Sequence, residues 1–364
     1  MRNLVFLFII GILPIVYAEQ YKLKFAQIFW RHGDRAPWLT YPTNPNVKYW
    51  KQGLGQLTQT GMRQHYELGQ YLSNRYKGFM SSHYYKDEIV VHTSQEDRLI
   101  VSALADMAGW FPPTDWQVFE KGLAWQPVPI HITNASYSMI QFNRHTCPRW
   151  NKINVKVENE TVYVAIIKEA QPMVDYMTKH MGVKVEFTTN LYAYADLFLC
   201  DKIHNLTFPK WFSEGVDYDK LQLYSKYYTI KLFETEEQQI LCSASIMYYI
   251  RENFKNFTSG KPTMANKMMI LSGHDTNIMP MLMSLGVFNG EMIPYAAALI
   301  FELYEDQSSN NFIKISYKNE TDHDPYVMKM PACGFEEYCP IETFLEFTKD
   351  RSYSYMDQEA ECLI

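Results

Sequence analysis

The chain has 364 residues, 47% hydrophobic and 20% charged, enough for a large buried core and unlike a disordered polymer. Its net charge of −6 offers no basic surface for nucleic acid, so an anionic ligand would need a local basic pocket. Aromatics reach 15%, with 27 tyrosines, which favours broad packed surfaces.

Residues 1–18 read as a signal peptide: Arg2 is a positive start, Leu4 to Val16 is apolar, and Val16-Tyr17-Ala18 is a small-x-small cleavage site. The apolar run contains Gly11 and Pro14 and is short against the ~20 residues of a bilayer span. No later stretch is apolar enough to cross a membrane, so a secreted or lysosomal protein without a membrane span is expected. Lys22 to Trp30 reads as a buried strand, and Arg31-His-Gly-Asp-Arg-Ala-Pro37 follows it. Arginines present planar, permanently charged forks to phosphate oxygens, and a histidine between them can act as a nucleophile.

Tyr41 to Gly55 is punctuated by prolines and glycines and reads as loop. Thr58 has the chemistry of a helix N-cap, with Leu68, Leu72 and Tyr76 at helical spacing until Gly78. Ile89 to His92 is a short strand, Thr93-Ser94 supply cap-type side chains, and a helix is expected from Glu96 to Trp110. Arg98 falls in its first turn. From Ile132 to Gly260 the apolar pattern is mainly helical, apart from an alternating patch over Val155 to Ile166. Lys267 to Leu271 is again a buried strand, ending in Ser272-Gly273-His274-Asp275. A helix over Asn277 to Leu285, a hairpin of Ala298 to Glu305 with Phe312 to Tyr317, and a helix over Ile341 to Lys349 complete the pattern.

Strands alternating with helices imply an α/β sheet, and ligands gather at the carboxyl ends of such strands. The expected division is 1–18 signal peptide, 19–131 with 261–364 as an α/β catalytic domain, and 132–260 as a mainly helical inserted cap. Arg31, His32, Arg35, Arg98, His274 and Asp275 would then share one sheet edge. The donor set suits phosphate rather than a metal, since arginines repel cations and no second carboxylate or cysteine accompanies them. No cofactor fingerprint, P-loop or Gly-x-Ser-x-Gly elbow occurs.

These motifs resemble the histidine acid phosphatases, with the animal prostatic, lysosomal and insect venom enzymes nearest. The likeness rests on Arg31 to Pro37, Gly55-Gln-Leu-Thr-Gln-Thr-Gly61, Asp97-Arg98, His204-Asn-Leu-Thr-Phe-Pro-Lys-Trp211, Gly273-His-Asp275, Pro294-Tyr-Ala296 and Asn319-Glu-Thr321. The resemblance implies a phosphoglycerate-mutase-like sheet flanked by helices, with no cofactor. It implies that His32 is the nucleophile and Asp275 the proton donor, with Arg31, Arg35, Arg98 and His274 binding phosphate. Asp34 is expected to orient the loop rather than react. Phosphate monoesters are the implied substrates, and the animal relatives imply a homodimer. A phytase- or lysophospholipid-type phosphatase of the same fold, or a secreted binding protein or antigen with incidental catalysis, are the alternatives.

Six cysteines read as disulfides in an oxidising compartment. Cys333 and Cys339 can close a small loop, while spacing leaves the other four undetermined. The resemblance implies Cys147–Cys362 and Cys333–Cys339. Cys200 matches a family cysteine whose usual partner is replaced by Ala298, so a Cys200–Cys242 bridge is expected in its place. Sequons at Asn134, Asn159, Asn205, Asn256 and Asn319 are candidate glycosylation sites.

Overall fold

Strand β1, Tyr21–Arg31, shows how the sheet is built: successive side chains alternate between its two faces. Phe25 and Phe29 enter one apolar cluster, while Ala26, Ile28 and Trp30 enter another on the opposite face. The computed structural model describes residues 20–133, 146–319 and 323–363. The expected signal peptide and the Asn134 sequon lie outside them.

Helix α1, Gln59–Arg75, starts at Thr58, whose side chain accepts from Gly61 N–H as the cap chemistry predicts. Strand β2, Ile89–Thr93, is followed by α2, Asp97–Trp110. The cap position of α2 belongs to Glu96, and Ser94 donates to the Glu96 carboxylate instead of capping the helix. A two-residue strand β3, His131–Ile132, borders the sheet. Six helices then follow: α3, Pro148–Glu158; α4, Thr161–Met181; α5, Leu191–Ile203; α6, Lys210–Gly215; α7, Tyr218–Lys231; and α8, Glu236–Thr258. The alternating patch at 155–166 is therefore helical, split between the end of α3 and the start of α4. Its alternation did not mark a sheet face: Val155, Val162 and Val164 are all exposed, and among the described residues no strand pairs with this segment to reward a period of two.

Strand β4, Met268–Gly273, returns the chain to the sheet and leads into α9, Asp275–Ser284. The hairpin β5, Ala298–Asp306, and β6, Asn311–Lys318, pairs antiparallel as expected. The short strands β7, Tyr326–Met328, and β8, Cys339–Pro340, both pair with β6. Helices α10, Ile341–Phe347, and α11, Tyr355–Leu363, finish the described chain.

The sheet order is β3-β2-β4-β1-β5-β6-β7, with β3, β2, β4 and β1 mutually parallel. Helices α1 and α2 cover the face carrying Trp30, Met268, Ile270 and Ile300. Helices α8 and α9 cover the other face, where Gln27 donates to the carbonyl of Ile250 and accepts from Asn253. One apolar cluster runs from Phe25 and Phe29 through Phe254 to Phe198 and Val174, so the helical segment is continuous with the sheet. Burying each such side chain contributes about 1.5–3 kcal/mol, which outweighs any single surface ion pair.

Disulfides Cys147–Cys362 and Cys333–Cys339 are present, the first fastening α11 to the start of α3. The expected Cys200–Cys242 bridge is not. Cys200 is buried in a small cluster with Ala36 and Trp50 beside the loop after β1, whereas Cys242 on α8 joins the main apolar core. Asn159 and Asn205 are exposed; Asn256 and Asn319 are partly buried.

Candidate active site

The three strands that carry the polar motifs, β2, β4 and β1, are parallel neighbours, so their carboxyl ends place the motifs side by side. The floor of a single cavity of about 1030 Å³ is formed by Arg31, His32, Arg35, Arg98, His274 and Asp275. All six residues expected at the sheet edge are therefore brought together.

The loop after β1 lies directly on the start of α1. A Cβ at Gly33 would overlap the Gly61 backbone, and a Cβ at Gly61 would overlap that of Asp34, so both positions need glycine. Asp34 is fully buried: its N–H donates to Gln64 Oε1 at 2.8 Å, and its carboxylate accepts from the Thr58 hydroxyl. His204 Nε2 lies 2.7 Å from Asp34 Oδ2, tying in the turn after α5. Asp34 thus ties the loop to the start of α1 and to the turn after α5.

His32 is 2% exposed, and its Nδ1 lies 2.8 Å from the Gly33 carbonyl. A carbonyl only accepts, so Nδ1 carries the proton and Nε2 keeps the lone pair. Burial, then the positive charges of Arg31, Arg35, His274 and Arg98, push its pKa well below the usual histidine value. Protonation of the ring is therefore disfavoured, which keeps the Nε2 lone pair available.

Arg31 Nη2 is 2.9 Å from Asp275 Oδ2, and its guanidinium stacks 4.2 Å from the centre of the Tyr295 ring. Its other amino group donates to the Ile293 carbonyl. Arg35 is gripped in bidentate fashion by Asp196 of α5, at 2.9 and 3.0 Å. Ser102 accepts from Gly33 N–H and donates to the Arg98 carbonyl, linking the first turn of α2 to the histidine loop. Burial and the neighbouring Arg35 lower the Arg98 pKa, and its Nε has no protein partner among the described residues.

His274 caps α9, and Asp275 opens it, where the helix N-terminus favours a carboxylate. Burial alone would raise the Asp275 pKa; Arg31, His274 and Arg35 outweigh it and hold the group below the usual carboxylate range. His274 Nε2 also lies 3.6 Å from Glu96. Against its own burial, Glu96 is held down to about 2 by His274, Ser94 and Arg98. Beneath the site, buried His65 donates from Nε2 to the Arg31 carbonyl at 3.0 Å, and burial lowers its pKa to about 4.

The sequence reading missed Asp196, Glu96 and Tyr295 as site members. Tyr295 alone had a local signal, in the Pro294-Tyr-Ala296 motif. Among the described residues no group of three or more histidine, cysteine or acidic side chains could hold a metal ion.

A sheet whose parallel strands present histidine, arginine and aspartate at one edge defines a phosphate-handling α/β enzyme fold. Residues 22–318 match the family described as histidine phosphatase superfamily (branch 2), and the chain belongs to it. Human lysosomal acid phosphatase is 33% identical over 336 residues, covering 90% of this chain and 77% of that one. Rat prostatic acid phosphatase is 32% identical over 334 residues, covering 89% of this chain and 85% of that one. Among solved structures, the apo phytase of Hafnia alvei superposes with a TM-score of 0.67 at 16% identity, covering 95% of this chain and 99% of that one, a likeness of fold. No described helix is long and apolar enough to cross a membrane.

Proposed function

We propose that the protein is an acid phosphatase that hydrolyses phosphate monoesters through a phosphohistidine on His32, in a lysosomal or extracellular setting. The observation that carries this reading is the fixed tautomer of His32, whose Nε2 lone pair sits among Arg31, Arg35, Arg98 and His274. These four hold the phosphoryl oxygens and stabilise the charge of the transition state. Nε2 bonds to phosphorus as the ester P–O bond breaks, and Asp275 protonates the departing oxygen. The resulting carboxylate takes a proton from water, water oxygen attacks phosphorus, the P–N bond breaks, and phosphate leaves.

Asp275 is a carboxylate paired to Arg31 in the structure. A substrate phosphate that draws Arg31 to itself removes the charge holding Asp275 ionised, and its own negative charge favours the protonated form. Falling pH acts in the same direction, so turnover of esters with poor leaving groups should rise from pH 8 toward pH 4. The test is alkaline quenching during turnover of phenyl phosphate at acidic pH, followed by mass spectrometry of the peptide containing His32. Phosphate on His32 is expected; phosphate on another residue, or no phosphate release from any monoester, overturns the reading.

We further infer a homodimer formed through the β3 edge of the sheet. Trp116, Phe119 and Ile132, on the segment that ends in β3, are 68%, 62% and 55% exposed, and among the described residues β3 pairs with β2 alone. Phe119→Glu should sediment as a monomer under conditions where the parent is a dimer; an unaltered dimer excludes this face.

A further inference from the structure

The phosphate-binding charges lie on the cavity floor, and the wall above them is of different chemistry. Trp38, which directly follows the Arg31 to Pro37 loop, lines the cavity with 46% of its surface exposed. Its ring lies 5.8 Å from Tyr192 of α5, tilted by 34°, and Tyr192 stacks on Tyr228 of α7 at 4.8 Å and 10°. The stack is braced from behind, because the ammonium of buried Lys231 sits 4.9 Å from the Tyr228 ring centre and is also paired with Glu158. Trp38 is held from the front by its own loop, where Gly55 N–H donates to the Pro37 carbonyl at 3.0 Å. A series of rings fixed at its base and open at its top is a stacking platform.

The rest of the wall agrees with this. Leu199, Ile203, Leu232 and Met292 supply apolar surface. Of the cations that line the cavity above the floor, Lys226 is paired with Glu291 at 2.8 Å, and Lys318 is 3% exposed and donates to the His323 carbonyl. The three guanidinium groups are thus concentrated on the floor, while the wall mixes aromatic and aliphatic surface with the neutral polar side chains of Gln222, Ser225 and Thr229.

We propose that Trp38, backed by Tyr192 and Tyr228, selects phosphate monoesters whose leaving group is a flat aromatic or heterocyclic ring. This rests on the phosphatase reading above. The experiment compares kcat/KM for phenyl phosphate, adenosine 5′-monophosphate, glycerol 2-phosphate and inositol hexakisphosphate in the parent, Trp38→Ala and Trp38→Phe. In parallel, calorimetry measures the Kd of phenylphosphonate and methylphosphonate, which need no turnover. Ring stacking of this kind predicts that the preference for phenyl phosphate over glycerol 2-phosphate falls about tenfold in Trp38→Ala and is largely restored in Trp38→Phe. The phenylphosphonate advantage should fall in step. An unaltered preference in Trp38→Ala, or inositol hexakisphosphate as the best parent substrate, overturns the inference. Should the parent hydrolyse no monoester, the phosphatase reading falls, and the phosphonate pair still decides whether Trp38 selects rings.

Discussion

His32→Ala should lower kcat for every phosphate monoester by about 10⁴-fold or more, the scale seen when a covalent nucleophile is removed. The reason is positional as well as chemical. Nε2 keeps its lone pair among three guanidinium groups, because Nδ1 is committed to the Gly33 carbonyl. No neighbouring side chain can replace it: His274 faces Glu96, and Asp275 is paired with Arg31. The fold should tolerate the change, since Asp34, Gly61 and Thr58 hold the loop independently of the imidazole. The check is kcat beside the thermal unfolding midpoint. A folded His32→Ala protein with parental turnover excludes the phosphohistidine route; a folded protein with activity lost and phosphate still bound supports it.

Asp275→Asn should be the second most damaging substitution, costing about 10²–10⁴-fold on alkyl phosphates, the range of a general acid. The cost should shrink with leaving-group pKa, so 4-nitrophenyl phosphate suffers far less than glycerol 2-phosphate. Two effects contribute. The amide cannot donate and then recover a proton, and Arg31 loses an ionised partner of a kind worth about 1.5–3 kcal/mol. The dependence on leaving group separates them, because losing a partner for Arg31 weakens all substrates alike. The pH profile separates them again. Burial and the surrounding arginines disfavour protonation of His32, so the rise in rate toward acid in the parent is assigned to protonation of Asp275 and should flatten in Asp275→Asn. An equal loss on both leaving groups, with the parental pH profile intact, rules Asp275 out as the proton donor.

Much of this site was legible before any coordinates. The near-continuous apolar runs of Phe25 to Trp30 and Met268 to Leu271 mark strands buried on both faces, and a polar cluster after such a strand points to a ligand edge. Thr58 marks the start of α1 and Gly78 lies just past its end, because capping and glycine effects are local. Elsewhere local pattern misled. The valines of 155–166 alternate without a neighbouring strand, and the even cysteine count suggested a bridge between Cys200 and Cys242, which lie in separate apolar clusters.

Sequence by itself determined the chemical inventory of this protein: three arginines, two histidines and one aspartate, each placed just beyond a buried strand by short-range signals. Only the tertiary structure decided how that inventory is held. Asp196 reaches Arg35 from 161 residues away, β4 is inserted between β1 and β2, and Tyr192 of α5 meets Trp38 on the cavity wall. Those contacts depend on how the helical segment folds back over the sheet. That is set by many weak apolar contacts acting together, none of which is encoded within a single stretch of the chain.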